Sequence, residues 1–326
     1  MSKKPAWEIE REVRIKAEDF TNPDYGSPPD ERAMEDHIRF GAVVIDKVPG
    51  PTSHEVASWI KKLLELDKVG HGGTLDPKVT GVLPICLQDS TKVVQALLEA
   101  GKEYVCVMRT HSDETEARVR DALDFFKGEI FQRPPVRSSV RRRLRTRWIY
   151  GIEFLEGDGN NWLFKVICQS GTYIRKLCYD VGEYLGCGAH MQELRRTRSG
   201  PFKEEDLYDM YDFTDALDRW KNGDEDYLRE IIRPMEDALF LLPKIWVRDS
   251  AVEALCNGAQ LAVPGILRYE TGIGEGDLLA VMTAKNEAIA LMKADMSSGK
   301  IQAEDHGIAA TTERVLMPMG TYPKMW

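Results

Sequence analysis

Residues 70–84, GHGGTLDPKVTGVLP, place the tightest constraint on what this chain can fold into. Gly70, Gly72, Gly73 and Gly81 free the backbone for bends that side-chain-bearing residues resist. Pro77 pushes Asp76 away from the helical region, toward an extended or turn geometry. The segment is too rich in glycine and proline for a helix interior and too irregular for a long strand. What is left is a constrained loop displaying one carboxylate. On the loop alone two readings of Asp76 stand: an Asp-Pro turn stabilised by its own backbone, or a functional group displayed where such groups are often found.

The surrounding patterns set the loop in an α+β chain. Its 326 residues, 43% of them hydrophobic, suffice for two globular domains. Residues 1–36 read as an arm, polar and then turn-rich at TNPDYGSPPDE. After it, GAVVIDK reads as a strand, and Thr52 with Glu55 forms a capping box opening the helix TSHEVASWIKKLLEL. Val56, Trp59, Ile60, Leu63 and Leu64 share one face of that helix. KEYVCVMRT reads as a strand, ETEARVRDALDFFKG as a helix ending at Gly128, and 140–169 as two strands around the turn GDGNN. SGTYIRKLCYDVGEYL reads as a glycine turn followed by a helix. From Leu242 onward the texture becomes short strands and glycine turns with one or two small helices, a compact β-rich second domain bracketed by Pro234 and Pro243. The expected organisation is therefore an arm over 1–36, a larger mixed or antiparallel-sheet domain over 37–242 and a smaller β-rich domain over 243–326.

Composition removes several classes of function. Cys86, Cys106, Cys168, Cys178, Cys187 and Cys256 form no Cys-x-x-Cys pair, and no histidine supplies zinc-finger spacing, so reduced and mostly buried thiols are expected. No apolar run approaches membrane-spanning length, and the N-terminal residues lack the apolar core of a signal peptide. The net charge of −9 argues against nucleic acid only while the charges are taken together. Basic residues concentrate in RSSVRRRLRTR, with Arg141, Arg142, Arg143, Arg145 and Arg147, and in LRRTRSGPF, with Arg195, Arg196 and Arg198. Such runs read either as solvated strand faces or as local patches that neutralise phosphates.

Four pieces of the larger domain can carry chemistry: Asp76 with His71 on the glycine loop, Tyr104 at a strand start, Tyr173 and Arg175 after Gly171, and Leu194-Arg195-Arg196. Each alone has an ordinary alternative, such as a core aromatic for Tyr104, a surface helix residue for Arg175 or plain core for Leu194. Together, GHGGTLDPKVTGVLP, KEY, SGTYIRKLCYDVG and ELRRTRSGPF closely resemble, in order, the motifs of the TruB/dyskerin family of pseudouridine synthases, and DKVPGPTSHEV resembles that family's first motif. The tail from about residue 243 resembles the family's PUA RNA-binding domain. The resemblance implies that Asp76 is the essential carboxylate, Arg175 its counter-charge, and Tyr104 a stacking platform for a flipped uridine with a possible part in proton transfer. It implies a pocket wall at Leu194, Tyr173 and His71 near the nucleotide, and RNA-backbone contacts from Arg141, Arg142, Arg143, Arg145, Arg195 and Arg196. No cofactor is implied, since the isomerisation involves no redox change or energy input.

RPPVRSSVRRRLRTRWIYGIEF runs almost straight through where bacterial tRNA members carry an insertion, and the arm and the TYPKMW ending resemble the archaeal H/ACA branch. That placement implies an H/ACA guide RNA, rRNA or tRNA substrates, small partner proteins of the H/ACA ribonucleoprotein and a cytoplasmic setting. It also implies an arm packed on the PUA domain, with Lys244, Arg248 and Arg268 as exposed basic candidates there. Gly72 stands where the branch often has serine, a change expected to loosen the loop slightly. The alternatives are a stand-alone tRNA pseudouridine synthase and a non-catalytic RNA-binding scaffold.

Overall fold

The computed structural model describes residues 3–18, 20–134 and 143–325. The arm carries β1 (Val13–Ile15). The larger domain follows with β2 (Gly41–Lys47), β3 (Val69–His71), β4 (Thr80–Leu87), β5 (Lys102–Thr110), β6 (Gly128–Gln132), β7 (Arg145–Asp158), β8 (Asn161–Cys168), β9 (Ala189–Ser199), β10 (Phe202–Lys203) and β11 (Ile232–Pro234). These strands form one sheet in the order β11-β2-β4-β9-β5-β8-β7-β6, with β3 paired to β4 and β10 to β9. Every pair is antiparallel except β4 with β9, which run parallel at the sheet's centre.

Alternation decides which side chains the sheet buries. On β8 Trp162, Phe164, Val166 and Cys168 point into the core, and on β5 the buried set is Lys102, Tyr104, Cys106, Met108 and Thr110. Two polar-tipped residues, Lys102 and Tyr104, thus share a face with the core. The helix Ser53–Leu63 starts on the Thr52–Glu55 capping box. Trp59 departs from expectation: it lies at the rim of the apolar stripe and is 41% exposed. The helix Glu116–Phe125 also stops short of Gly128, which has a φ of 98° and opens β6.

The smaller domain contributes β12 (Lys244–Val247), β13 (Leu261–Ala262), β14 (Ile266–Glu270), β15 (Leu278–Thr283), β16 (Ala288–Ala294) and β17 (Ile308–Val315), with helices Asp249–Cys256 and Ser298–Ala303. Its sheet runs β1-β14-β12-β15-β16-β17-β13, so the arm supplies an edge strand. Between the domains Phe40, Val82, Leu97, Phe202 and Met235 pack with Trp246, Met282, Leu291 and Leu316 in one apolar cluster. An apolar interface of this kind packs the larger sheet's edge against the smaller domain.

The arm touches both domains. Lys16 Nζ donates to the carbonyls of Gln302 and Glu304, and Thr21 and Asn22 bond to Asp249. Farther along, Arg32 makes a buried two-point ion pair with Glu236, whose Oε1 also accepts from Ala288 N at 2.9 Å. The start of the arm lies instead on the larger domain, where the Arg198 guanidinium sits 4.5 Å from the Trp7 ring centroid. The cysteines are free thiols, all buried except the half-buried Cys187. Among the described residues no helix is long and apolar enough to cross a membrane.

Candidate active site

The glycine loop is anchored by buried cations whose hydrogen bonds go to main-chain carbonyls. Lys47, wholly buried at the end of β2, donates to Val48 O (3.0 Å), Pro77 O (3.0 Å) and Val79 O (2.8 Å). Arg196, 1% exposed on β9, donates from Nε to Val82 O at 2.8 Å and from Nη2 to Gly73 O at 3.1 Å, and it faces the Tyr104 hydroxyl. Ser53 clips Leu75 at both ends, accepting from its N–H at 2.8 Å and donating to its carbonyl at 3.3 Å. Val79 N closes a turn onto Asp76 O at 2.9 Å. Burial, and then the neighbouring charge of Arg196, pulls the Lys47 ammonium below its ordinary value.

Gly81 shows why the loop ends in glycine. Its φ is 100°, and a Cβ there would lie 2.2 Å from the Arg196 carbonyl oxygen across the β4/β9 pairing. Gly73, at φ 134°, brings its main chain against the Arg196 guanidinium. Gly72 is buried, and a Cβ there would meet Leu97 at 3.0 Å, so a larger residue would crowd that side chain.

The other side of the loop faces a cavity of about 560 Å³. Asp76 Oδ2 pairs with Arg175 Nη2 at its edge, and both side chains are about half exposed. An ion pair that open contributes roughly 0–1 kcal/mol to folding. Arg175 also sits in the first turn of the helix Ile174–Leu185, where a cation opposes the helix dipole. Fold stability therefore does not explain the pair. Tyr104, Lys102, Tyr173, Leu194 and Met191 line the rest together with Arg196. Tyr173 is held at the helix start by the buried Gln132, which accepts from its N–H at 2.9 Å and donates to its carbonyl at 3.1 Å.

Burial fixes the protonation of the cavity floor. It raises the Tyr104 phenol, so this group remains a neutral hydroxyl at neutral pH. Burial, reinforced by Arg196, lowers the Lys102 ammonium to about 7, although its Nζ donates to Leu97 O and Ala100 O at 2.7 Å each.

The structure brings Asp76, Tyr104, Arg175, Tyr173 and Leu194 to one cavity, and separates several residues from it. His71 is not among the lining residues: it is half-buried on β3 opposite Ile85, and burial lowers its pKa. Arg196 is no phosphate ligand, because it is buried and its donors hold the loop. Arg195 is engaged as well, bidentate to Asp46 at 2.9 and 3.0 Å and bonded to Glu204 at 2.5 Å. Arg143 is exposed just before β7 and Arg145 is half-buried opposite Gln132, whereas Arg141 and Arg142 lie outside the described residues. In the smaller domain Lys244, Arg248 and Arg268 are partly buried rather than exposed. Lys244 bonds the carbonyls of Phe240 and Leu242, and Arg268 lies over the Trp246 ring. Lys47, Ser53 and Gln132 carry no reading in the sequence, and Lys102 is legible there only as a flank of Tyr104. The one available signal was a charged pair, Asp46-Lys47, closing the strand GAVVIDK after five apolar or small residues.

Comparison with known proteins identifies the family. Residues 61–174 match the N-terminal domain of TruB family pseudouridylate synthases and 175–240 the tRNA pseudouridylate synthase B C-terminal domain. Residues 243–316 match a PUA domain and 6–57 a DKCLD domain. A Pyrococcus horikoshii protein named "Probable tRNA pseudouridine synthase B" is 56% identical, covering 98% of this chain and 96% of the relative. A similarly named Methanopyrus kandleri protein is 54% identical over 97% and 94%. Among solved structures, a chain of a Cbf5-Nop10-Gar1 complex superposes with a TM-score of 0.94 at 55% identity, covering 99% of each chain. A chain of an H/ACA ribonucleoprotein bound to a substrate RNA containing 2′-deoxyuridine gives 0.93 at 52%, covering 99% of this chain and 100% of that one. With both synthase domains matched and relatives aligned over nearly the full length, the chain belongs to the TruB/dyskerin family and is an RNA pseudouridine synthase.

Proposed function

We propose that this enzyme converts uridine to pseudouridine in ribosomal RNA at positions chosen by an H/ACA guide RNA, with Asp76 as the essential carboxylate. The observation that carries the assignment of Asp76 is its half-exposed pairing with Arg175 at the edge of a cavity floored by Tyr104. In the reaction the N1–C1′ glycosidic bond breaks and a C1′–C5 bond forms. C5 loses its proton and N1 gains one, so no electrons are exchanged. Asp76 acts on the ribose–uracil unit with Arg175 as counter-charge, Tyr104 offers an aromatic face to the flipped base, and Leu194 and Tyr173 close the wall. Flipping costs a few kcal/mol, which these contacts offset.

The guided reading is supported by near full-length similarity to chains solved in H/ACA assemblies. Its partners would be the guide RNA, with pairing supplying sequence recognition as in other RNA-guided enzymes, and small proteins such as the Nop10 and Gar1 of those complexes. The domain at 243–326 would bind the guide, the arm at 1–36 would support it, Arg143 and Arg145 would meet RNA backbone, and the cytoplasm would be the site of action. A second reading, guide-free action on tRNA, is favoured by the names of the curated relatives. Pseudouridine mapping of defined rRNA and tRNA substrates, with and without guide RNA and partner proteins, separates the two. Efficient guide-free modification of tRNA alone would displace the guided reading. Product formation by Asp76→Asn at the wild-type rate would remove Asp76 from the chemistry.

A further inference from the structure

The first turn of the arm is placed as no RNA-binding or domain-bracing role requires. Pro5 is buried and opens a short 3-10 turn, with Glu8 N donating to Pro5 O at 3.0 Å. The turn sets Trp7 on the corner where β5 begins and β9 ends. A methyl group at Gly101 would meet the indole at 3.1 Å, so the ring rests on the Gly101 main chain itself. The Arg198 guanidinium lies over the same ring at 4.5 Å and bonds Gly200 O, while Gly200 N bonds Gly101 O at 3.0 Å. Gly101 directly precedes Lys102, and Tyr104 follows two residues later on the same face of β5. Lys3 Nζ meanwhile lies 5.2 Å from the Trp148 ring. Trp148 bonds Gln169 in both directions, and the Gln169 carbonyl holds Thr172 on the wall beside Tyr173.

We propose that Trp7 is a positioning residue for the catalytic cleft, and that the first turn of the arm latches the two segments carrying its walls, the start of β5 and the 169–173 turn. The proposal rests on the assignment of that cleft as the active site. Because the same arm continues into the second sheet as β1, the latch also joins the cleft to the domain assigned to the guide.

The test is single-turnover pseudouridylation at saturating RNA by the full chain in its assembled particle, alongside RNA dissociation constants and melting curves. Trp7→Ala should turn over about tenfold more slowly well below its melting temperature, because sub-ångström misplacement of reacting groups acts on the rate. Its RNA affinity should stay within about twofold, and Trp7→Phe should restore most of the rate. Gly101→Ala, whose methyl presses on the indole, should also slow turnover, and combining it with Trp7→Ala should add little further loss. A wild-type rate in Trp7→Ala, a loss lying wholly in RNA affinity, or additive effects in the double variant would overturn the latch. Asp76→Asn, run in parallel, keeps the two assignments apart. Its full activity removes the cleft, and with it the latch, whereas an inactive Asp76→Asn beside a normal Trp7→Ala removes the latch alone.

Discussion

The two sides of the glycine loop use positive charge in opposite ways. On the displayed side, Arg175 is half exposed and paired to a carboxylate, contributing little to stability. On the anchoring side, Lys47 and Arg196 are fully buried and bound to carbonyl oxygens of the loop and of β4. Removing a cation of the second kind strands several carbonyls in the interior, which costs about 1–3 kcal/mol per orphaned group. The difference teaches that the number of arginines in a motif says little about function until each is placed in or out of water.

That contrast can be broken from either side. Asp76→Asn should give the largest loss, roughly 10³-fold or more in single-turnover rate, with the melting temperature unchanged. Arg175→Met should follow at about 10²-fold, again without a change in melting, since it removes only an exposed partner. A melting temperature lowered by many degrees in Arg175→Met would erase the distinction. Arg196→Met should reverse the pattern, lowering stability by about 2–4 kcal/mol as measured by denaturant unfolding, with the rate falling as a consequence.

Lys102 sharpens the comparison through pH. Its pKa falls from 10.5 in the unfolded chain to about 7 when folded, so between those values the unfolded state binds the extra proton. Stability must then rise with pH across that window, with the full burial penalty present below about 7. Melting curves of the wild type and Lys102→Met from pH 6 to 10 should show the wild type gaining relative to the variant as pH rises, and parallel curves would refute the lowered pKa. The smallest effect should come from Arg195→Ala. Its ion pairs with Asp46 and Glu204 are about one-third exposed, so unfolding should change by about 1 kcal/mol or less and turnover hardly at all.

Local features were legible in the sequence, and non-local ones were not. The Thr52–Glu55 capping box, the alternation on β8 and the bend at Asp76-Pro77 are each set by residues within a few positions of one another. The ordered motifs located the cleft. Leu194 reads as pocket wall and lines the cavity, whereas Arg196 groups in the sequence with the RNA-backbone arginines because nothing nearby tells a buried arginine from an exposed one. The acceptors that satisfy Arg196 in the interior are the carbonyl of Val82, 114 residues away, and that of Gly73, farther still. The arm is expected on the second domain, where β1 lies, but the contact of its first turn with the larger domain escapes for the same reason, since Trp7 and Gly101 share no local pattern.

The parallel pairing of β4 with β9 also bears on the order of events during synthesis. Asp76 emerges from the ribosome well before Arg196, and loop-closure entropy opposes a contact spanning 114 residues until the intervening strands have assembled. A nascent chain that has made the carboxylate segment still lacks the strand that fixes its shape. Catalytic competence therefore waits on the synthesis of β9, and a truncated chain ending before it carries the aspartate without Leu194 or Arg196 of the cleft.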